Sequence, residues 1–267
     1  MIDLHTHILP GFDDGARTLA EALAIARVAE SEGISCMVAS PHILDEEALQ
    51  RTREIARAVD ALQRALDEEG IAVKVVPAAE VQMRDDLVAY LRAGLPLTIN
   101  SDGRYLLLEP PFQQLPMCAE QLIFELLANG VTPIITHPER SLGFRNQPEL
   151  LHKMVDNGAL SQLTASSLTG MMGPDVRRFS RLMLEHGLAQ IMSSDAHSPD
   201  RRPPLLRSGV AVAAELIGEE AAQRLVGDNP ARVLAGRAVL REPKPVETAA
   251  RRSWWSRLVP GRSGEQE

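Results

Sequence analysis

Cysteine is nearly absent from this 267-residue chain: Cys36 and Cys118 are the only two. They lie far apart, in no metal or redox spacing, which fits a reducing cytoplasm. Neither begins a Cys-x5-Arg loop, so any phosphate chemistry would need something other than a cysteine nucleophile. Long apolar runs are missing too; no stretch approaches the roughly 20 residues needed to span a bilayer. There is no excess of positive charge, the formal net charge being −8, and general affinity for a nucleic-acid backbone is not expected. The amino terminus has neither a basic segment nor an apolar core of a secretory leader, and no removal is expected.

What is present begins at once, in MIDLHTHILPGFDDG. Ile2 and Leu4 alternate with Asp3 and His5, then His7, Pro10 and Gly11 follow, the pattern of a short strand running into a loop. Two imidazoles at i and i+2 on a strand point to one side and are able to share a metal ion. Taken alone, the pair reads equally as polar residues on an exposed strand face, so its distant partners decide.

The rest of the chain alternates strand and helix. Thr18 to Glu21 has the form of a capping box, and Leu19, Leu23, Ala26 and Ala29 keep helical spacing until Gly33. A strand over 34–39 ends at Ser40-Pro41-His42, a long amphipathic helix covers 46–69, and a third strand over 71–77 ends near Glu80. Segments 96–99 and 104–109 are expected to pair around Asn100-Ser101-Asp102-Gly103. A helix over 115–129, a strand over 131–136, a helix over 149–157, a strand over 160–164, a helix over 175–186 and a strand over 188–193 follow. Two more helices close the domain near Gly236.

Such alternation implies parallel strands covered by helices. Five of the seven histidines, with several acids, fall at carboxyl ends of these strands: His5, His7, His42, Glu80, Glu109, His137, Asp195 and His197. That edge is where α/β barrels assemble their sites. Seven strands favour a distorted seven-stranded (β/α) barrel, TIM-like, over an open doubly wound sheet. The barrel is expected over 1–236. Residues 237–267 form a basic, proline-containing tail with Trp254 and Trp255 among Arg251, Arg252 and Arg257; a flexible terminus and a membrane-surface or partner-docking segment are both consistent with it.

Imidazole and carboxylate suit zinc, iron or manganese, and a carboxylate bridges two cations through its two oxygens. Six motifs in order, DLHTHILPGFDDG (3–15), ASPH (39–42), AAEV (78–81), LLLEPP (106–111), ITHPER (135–140) and SSDAHSPDRRPP (193–204), resemble the PHP superfamily, named for polymerase and histidinol phosphatase. Within it they are similar to the CpsB/YwqE-type manganese-dependent protein tyrosine phosphatases of capsule and exopolysaccharide systems.

The resemblance implies a PHP fold and three divalent ions, manganese foremost, with iron and zinc accepted by the same ligands. It would place His5, His7, Glu80 and Asp195 around one ion. Glu80 would bridge to a second held by Glu109 and His137, and Asp14, taken over Asp13, would hold a third with His42 and His197. Arg140 and Arg202 resemble phosphate-binding arginines. The implied partner is a phosphotyrosine protein, a bacterial tyrosine autokinase, met in the cytoplasm with peripheral membrane contact through the tail. A histidinol-phosphatase-like enzyme for small molecules would share the ligands. A non-catalytic regulatory module should have lost some of them, and none is missing.

Overall fold

The computed structural model describes residues 1–241 with Pro243 and Lys244. Its strands are short and buried on both faces, as parallel strands under helices must be. In chain order the elements are β1 (Ile2–Thr6), α1 (Leu19–Ser31), β2 (Cys36–Ala39), β3 (His42–Ile43), α2 (Glu46–Glu68), β4 (Lys74–Pro77), β5 (Glu80–Gln82) and α3 (Leu87–Arg92). Next come β6 (Tyr105–Glu109), α4 (Ala119–Ala128), β7 (Thr132–Thr136), α5 (Leu142–Asn146), α6 (Pro148–Asp156), β8 (Leu160–Thr164) and α7 (Ala165–Thr169). The last are α8 (Pro174–Glu185), β9 (Ile191–Ser193), α9 (Arg207–Ile217), α10 (Glu219–Arg224) and α11 (Asp228–Leu234).

Helix starts follow local chemistry. Thr18 caps α1 by accepting from Glu21 N, but the Glu21 carboxylate turns outward to Arg17 at 2.6 Å, so only half of the expected capping box forms. Asp45 caps α2 by accepting from Ala48 N. Each helix then lays one apolar stripe on the strands: Ala22, Ile25, Ala26 and Ala29 from α1, and Leu49, Ile55, Val59, Leu62 and Leu66 from α2. Alternate strand residues feed two buried clusters. Met37, Leu106, Leu108, Ile135 and Met192 pack with the helices, while Val38, Leu107, Ile134 and Ile191 pack with one another.

All ladders are parallel, in two sheets ordered β1-β2-β4 and β3-β5-β6-β7-β8-β9. The α/β class with parallel strands therefore holds, and the ladders among the described residues do not close into one barrel. Two of the expected strands are followed, after a break, by short further strands: β3 beyond Ser40-Pro41, where proline lacks an N–H, and β5 beyond Ala78-Ala79. Between β1 and β9, Asp195 takes a left-handed φ of 55° and turns the chain out of strand geometry. There the contact is reduced to a Thr6–Ala196 bridge, His7 N donating to Ala196 O (2.8 Å) and Asp195 N to His5 O (3.0 Å).

A correction concerns 96–99, which is no strand. Both edges of β6 are taken by β5 and β7, so no edge remains for a hairpin partner. The chain instead makes a tight turn over Ile99–Ser101, with Asn100 and Ser101 at positive φ and Gly103 N donating to Thr98 Oγ1. Three helices, not two, complete the described chain.

Beyond Gly236 the chain still packs: Tyr105 OH donates to Arg237 O, Val239 is buried, and Arg241 reaches Gly158 O. Trp254, Trp255 and the basic residues around them lie outside the described residues. Cys36 is buried in β2, where burial pushes its thiol up to about 11, and Cys118 precedes α4; both are free thiols. Among the described residues no helix is long and apolar enough to cross a membrane.

Candidate metal centre

Parallel pairing brings the carboxyl ends of successive strands to one edge. Register sets the neighbours there, since His42 of β3 lies opposite Glu80 of β5. His5, His7, Glu80, Glu109, His137, Asp195 and His197 are all buried, and His42 nearly so.

Four donor atoms converge first. His5 Nε2 lies 3.0 Å from His7 Nε2, 3.1 Å from Glu80 Oε2 and 3.6 Å from Asp195 Oδ1. His7 Nε2 lies 3.6 Å from the same glutamate oxygen and 3.4 Å from the same aspartate oxygen. Nitrogen and oxygen ligands about 2.0–2.2 Å from one tetrahedral ion stand roughly 3.3–3.6 Å apart, so these separations suit a shared cation. Around Glu80 lies a second group, with His42 Nδ1 at 2.9 Å from Oε2 and His137 Nε2 at 3.1 Å from Oε1, while Glu109 Oε2 is 3.5 Å from His42 Nδ1. In the third, Asp14 Oδ1 sits 3.3 Å from His197 Nε2 and 3.7 Å from His42 Nε2.

This grouping differs from the one the resemblance implies. His42, paired in register with Glu80, spans two groups, and within the second it is His42 whose donor atom clusters with Glu80 and Glu109. Asp13 and Asp14 separate clearly. Asp13 turns back to His7 Nδ1 (2.6 Å) and accepts from Gly15 N and His42 N; exposed Asp14 faces the histidines.

The residues fit bound cations on two grounds. Buried donor atoms of His42, Glu80, Glu109 and His197 aim into the cluster yet have no hydrogen-bond partner there, which buried polar atoms rarely tolerate. The charges also demand compensation. Burial disfavours charge on Glu80 and Asp195, but neighbouring imidazoles hold their carboxyls well below the usual range. Conversely, although burial opposes an imidazolium, Asp13 and Asp195 hold His7 up at about 9, and Glu109 and Glu80 hold His42 at about 11. His197, buried beside His7, is pushed down to about 2. Divalent cations would meet the same demand for positive charge.

Asp195 is shared between the cluster and the arginines. Its Oδ1 faces His5 and His7, and its Oδ2 accepts from Arg140 and from Arg202, the latter at 2.6 Å. Two guanidinium groups thus end at the rim of the cluster. Beside it opens a cleft of about 880 Å³ lined by Asp14, His42, Glu109, Leu44, Phe12 and Phe112, among others.

Several positioning residues were not singled out in the sequence. Gln162 Oε1 on β8 holds His5 Nδ1 at 2.7 Å, the kind of partner that orients a metal-binding imidazole. Thr136 donates to Glu80 Oε1 at 2.6 Å. Asp3 accepts from Ser194 N, Ser194 Oγ and His5 N, tying β1 to the turn that carries Asp195. Gln162 sits in the middle of β8, where the strand-end signal used for the ligands does not reach, and an amide carries no metal or acid–base pattern to draw the eye.

A parallel α/β scaffold with a strand-end cluster of imidazoles and carboxylates, and arginines at its rim, defines a metal-dependent hydrolase class. Comparison with known proteins narrows it. The profile of the capsular polysaccharide synthesis family CpsB/CapC matches residues 1–235, and the chain belongs to that family. It is 34% identical to the tyrosine-protein phosphatase YwqE of Bacillus subtilis, over 92% of this chain and 97% of that protein. The tyrosine-protein phosphatase CpsB of Streptococcus pneumoniae is 27% identical, over 88% and 98%. A crystal structure from work on YwqE and CpsB, described as metal-dependent tyrosine phosphatases, superposes with a TM-score of 0.88 at 33% identity, covering 93% of this chain and all of that one. The fold extends to a phosphotriesterase homology protein of Escherichia coli, at 13% identity and a TM-score of 0.56.

Proposed function

We propose that this chain hydrolyses phosphotyrosine in proteins with bound divalent ions, serving capsule or exopolysaccharide synthesis. One observation carries the reading: histidine and carboxylate donors converge within single-ion distances, and Arg140 and Arg202 meet at Asp195 beside them. The family relationship supports it.

In this reading His5, His7, Glu80 and Asp195 hold one ion, Glu80 also serves a second with Glu109 and His137, and Asp14, His42 and His197 hold a third. His42 stands close enough to Glu80 and Glu109 to join the second group. Manganese is proposed first. Bound ions supply Lewis acidity toward phosphoryl oxygens and a lowered pKa for attacking water. The protein's own part is positional. Gln162 fixes the His5 ring, Asp13 fixes His7, and Thr136 fixes one Glu80 oxygen. Arg140 and Arg202 exchange Asp195 Oδ2 for oxygens of the phosphoryl group and neutralise its charge as the ester bond breaks. The phenolate leaves as a stable anion, so a strong protein acid is not required.

The domain is placed at 1–236, with the interrupted strands read as seven strands of a distorted barrel, and the tail at 237–267 as its appendage. The substrate is proposed to be a bacterial tyrosine autokinase, met in the cytoplasm, with the tail's tryptophans and arginines suited to an anionic membrane nearby.

The test compares phosphotyrosine and phosphoserine peptides with histidinol phosphate. Phosphotyrosine hydrolysis should dominate, vanish with a strong chelator, return with a divalent ion and survive thiol alkylation. A preference for histidinol phosphate, or inactivation by alkylating Cys36 or Cys118 with the metals retained, would overturn the assignment.

A further inference from the structure

We infer that Phe112 is a specificity-determining residue, the platform against which the substrate's phenyl ring packs. The inference rests on the phosphotyrosine reading above and names the group that would enforce it.

Aromatic residues make up only 3% of the chain, with five phenylalanines in all, and two of the five, Phe12 and Phe112, line the cleft beside the ligand cluster. Phe144 and Phe179 are core residues by contrast. Phe112 remains 45% exposed, which leaves surface free for a ligand.

Its orientation is fixed from three directions. The ring stacks on that of His137 at 5.8 Å with planes 13° apart; the Arg140 guanidinium lies 5.3 Å from its centre; and its carbonyl accepts from Leu142 N at 2.7 Å. One side chain therefore adjoins both a ligand-type histidine and an arginine at the rim. The remaining apolar lining comes from Phe12 and the half-exposed Leu44. The Phe12 turn is held by Arg51, which packs 4.5 Å from the ring centre and donates to the Gly11 and Phe12 carbonyls. The cleft thus offers fixed apolar walls leading down to buried donor atoms.

Such a shape selects by reach and by ring. A phosphoserine carries its phosphate one carbon from the backbone, so the peptide itself would have to enter the cleft. A phosphotyrosine keeps the peptide outside and puts a flat ring between the walls, where offset or edge-on packing on Phe112 is favourable.

The experiment uses the full chain with its metals, in wild-type form and as Phe112→Leu and Phe112→Tyr. Leucine keeps the apolar bulk beside His137 but removes the flat face. Phe112→Leu should raise KM for a phosphotyrosine peptide about fivefold, with the loss in KM rather than kcat, while Phe112→Tyr restores it. Metal content and inhibition by inorganic phosphate, which has no ring, should match wild type. Equal KM values for wild type and Phe112→Leu would overturn the inference. So would a parallel weakening of inhibition by inorganic phosphate, since Phe112 would then act only as a support for Arg140. Failure of the wild type to cleave the phosphotyrosine peptide would instead remove the functional reading itself, and the inference with it.

Discussion

Glu80 concentrates more of the site than any other side chain: both oxygens are buried and lie near His5, His42, His137 and Thr136. Glu80→Ala should lower metal content and turnover together while the helical circular dichroism stays near wild type. Full occupancy with normal turnover would show that no ion depends on it. Arg140 is predicted to separate phosphate binding from metal binding. Arg140→Ala should keep its metals and lose at least about tenfold in kcat/KM, the scale of one charge-assisted hydrogen bond of 1.5–3 kcal/mol; unchanged kinetics would leave Arg140 only a structural partner of Asp195.

Asp3 gives a pH signature. Burial raises its carboxyl from 3.8 to about 6, against the pull of the Ser194 hydrogen bonds. Because the folded value is the higher one, the stabilising contribution is complete below pH 4 and lost as pH rises through about 6. At ~1.4 kcal/mol per pH unit the whole shift is worth roughly 3 kcal/mol, of which metal-free Asp3→Asn should gain about 2 relative to metal-free wild type between pH 4 and pH 6. Urea denaturation at the two pH values measures it, and a pH-independent difference would contradict the raised value.

Among the elements, the turn after β1 has least room. A Cβ built on Gly15 would stand 2.1 Å from the His7 carbonyl oxygen, whereas one on Gly11 meets nothing within 4 Å. Gly15→Ala should therefore displace His7, reduce metal content and cost about 1–3 kcal/mol, the scale of overpacking. Gly11→Ala, strained only by its positive φ, should cost about 1 kcal/mol and keep the metals. Equal metal content in both variants would refute the distinction.

Such elements also show how far the sequence could be read. The period of two in short apolar runs, ended by glycine, proline or histidine, located the strand ends and thereby every ligand candidate but Asp14, which only the family resemblance supplied. It misassigned 96–99 because whether an edge of β6 is free is a property of the sheet and not of the segment. Closure was illegible for a related reason: the left-handed turn at Asp195 depends on what packs around it, including the Asp3–Ser194 tie across almost the whole chain. Phe112 was invisible as a site residue, since a lone phenylalanine after two prolines has no pattern until the cleft exists.

For the whole molecule, the buried carboxylates and imidazoles should make stability depend on the ions. An ion at 100 times its dissociation constant adds about 2.7 kcal/mol, and for a domain this large roughly 2–4 °C accompanies each kcal/mol. Chelation should thus lower Tm by roughly 5–11 °C, and readdition should restore it. A Tm indifferent to chelator would mean that the cluster is a self-satisfied polar core.

The contact between His5 and Asp195 fixes a moment as well as a place. Residue 5 emerges from the ribosome early, but its partner across the Thr6–Ala196 bridge is made some 190 residues later. The first-ion group lacks one of its four donors until then, whereas His42, Glu80, Glu109 and His137 are all made by residue 137. A nascent chain stalled before Asp195 would hold the second group whole and the first still open, so the two would be completed at different stages of synthesis.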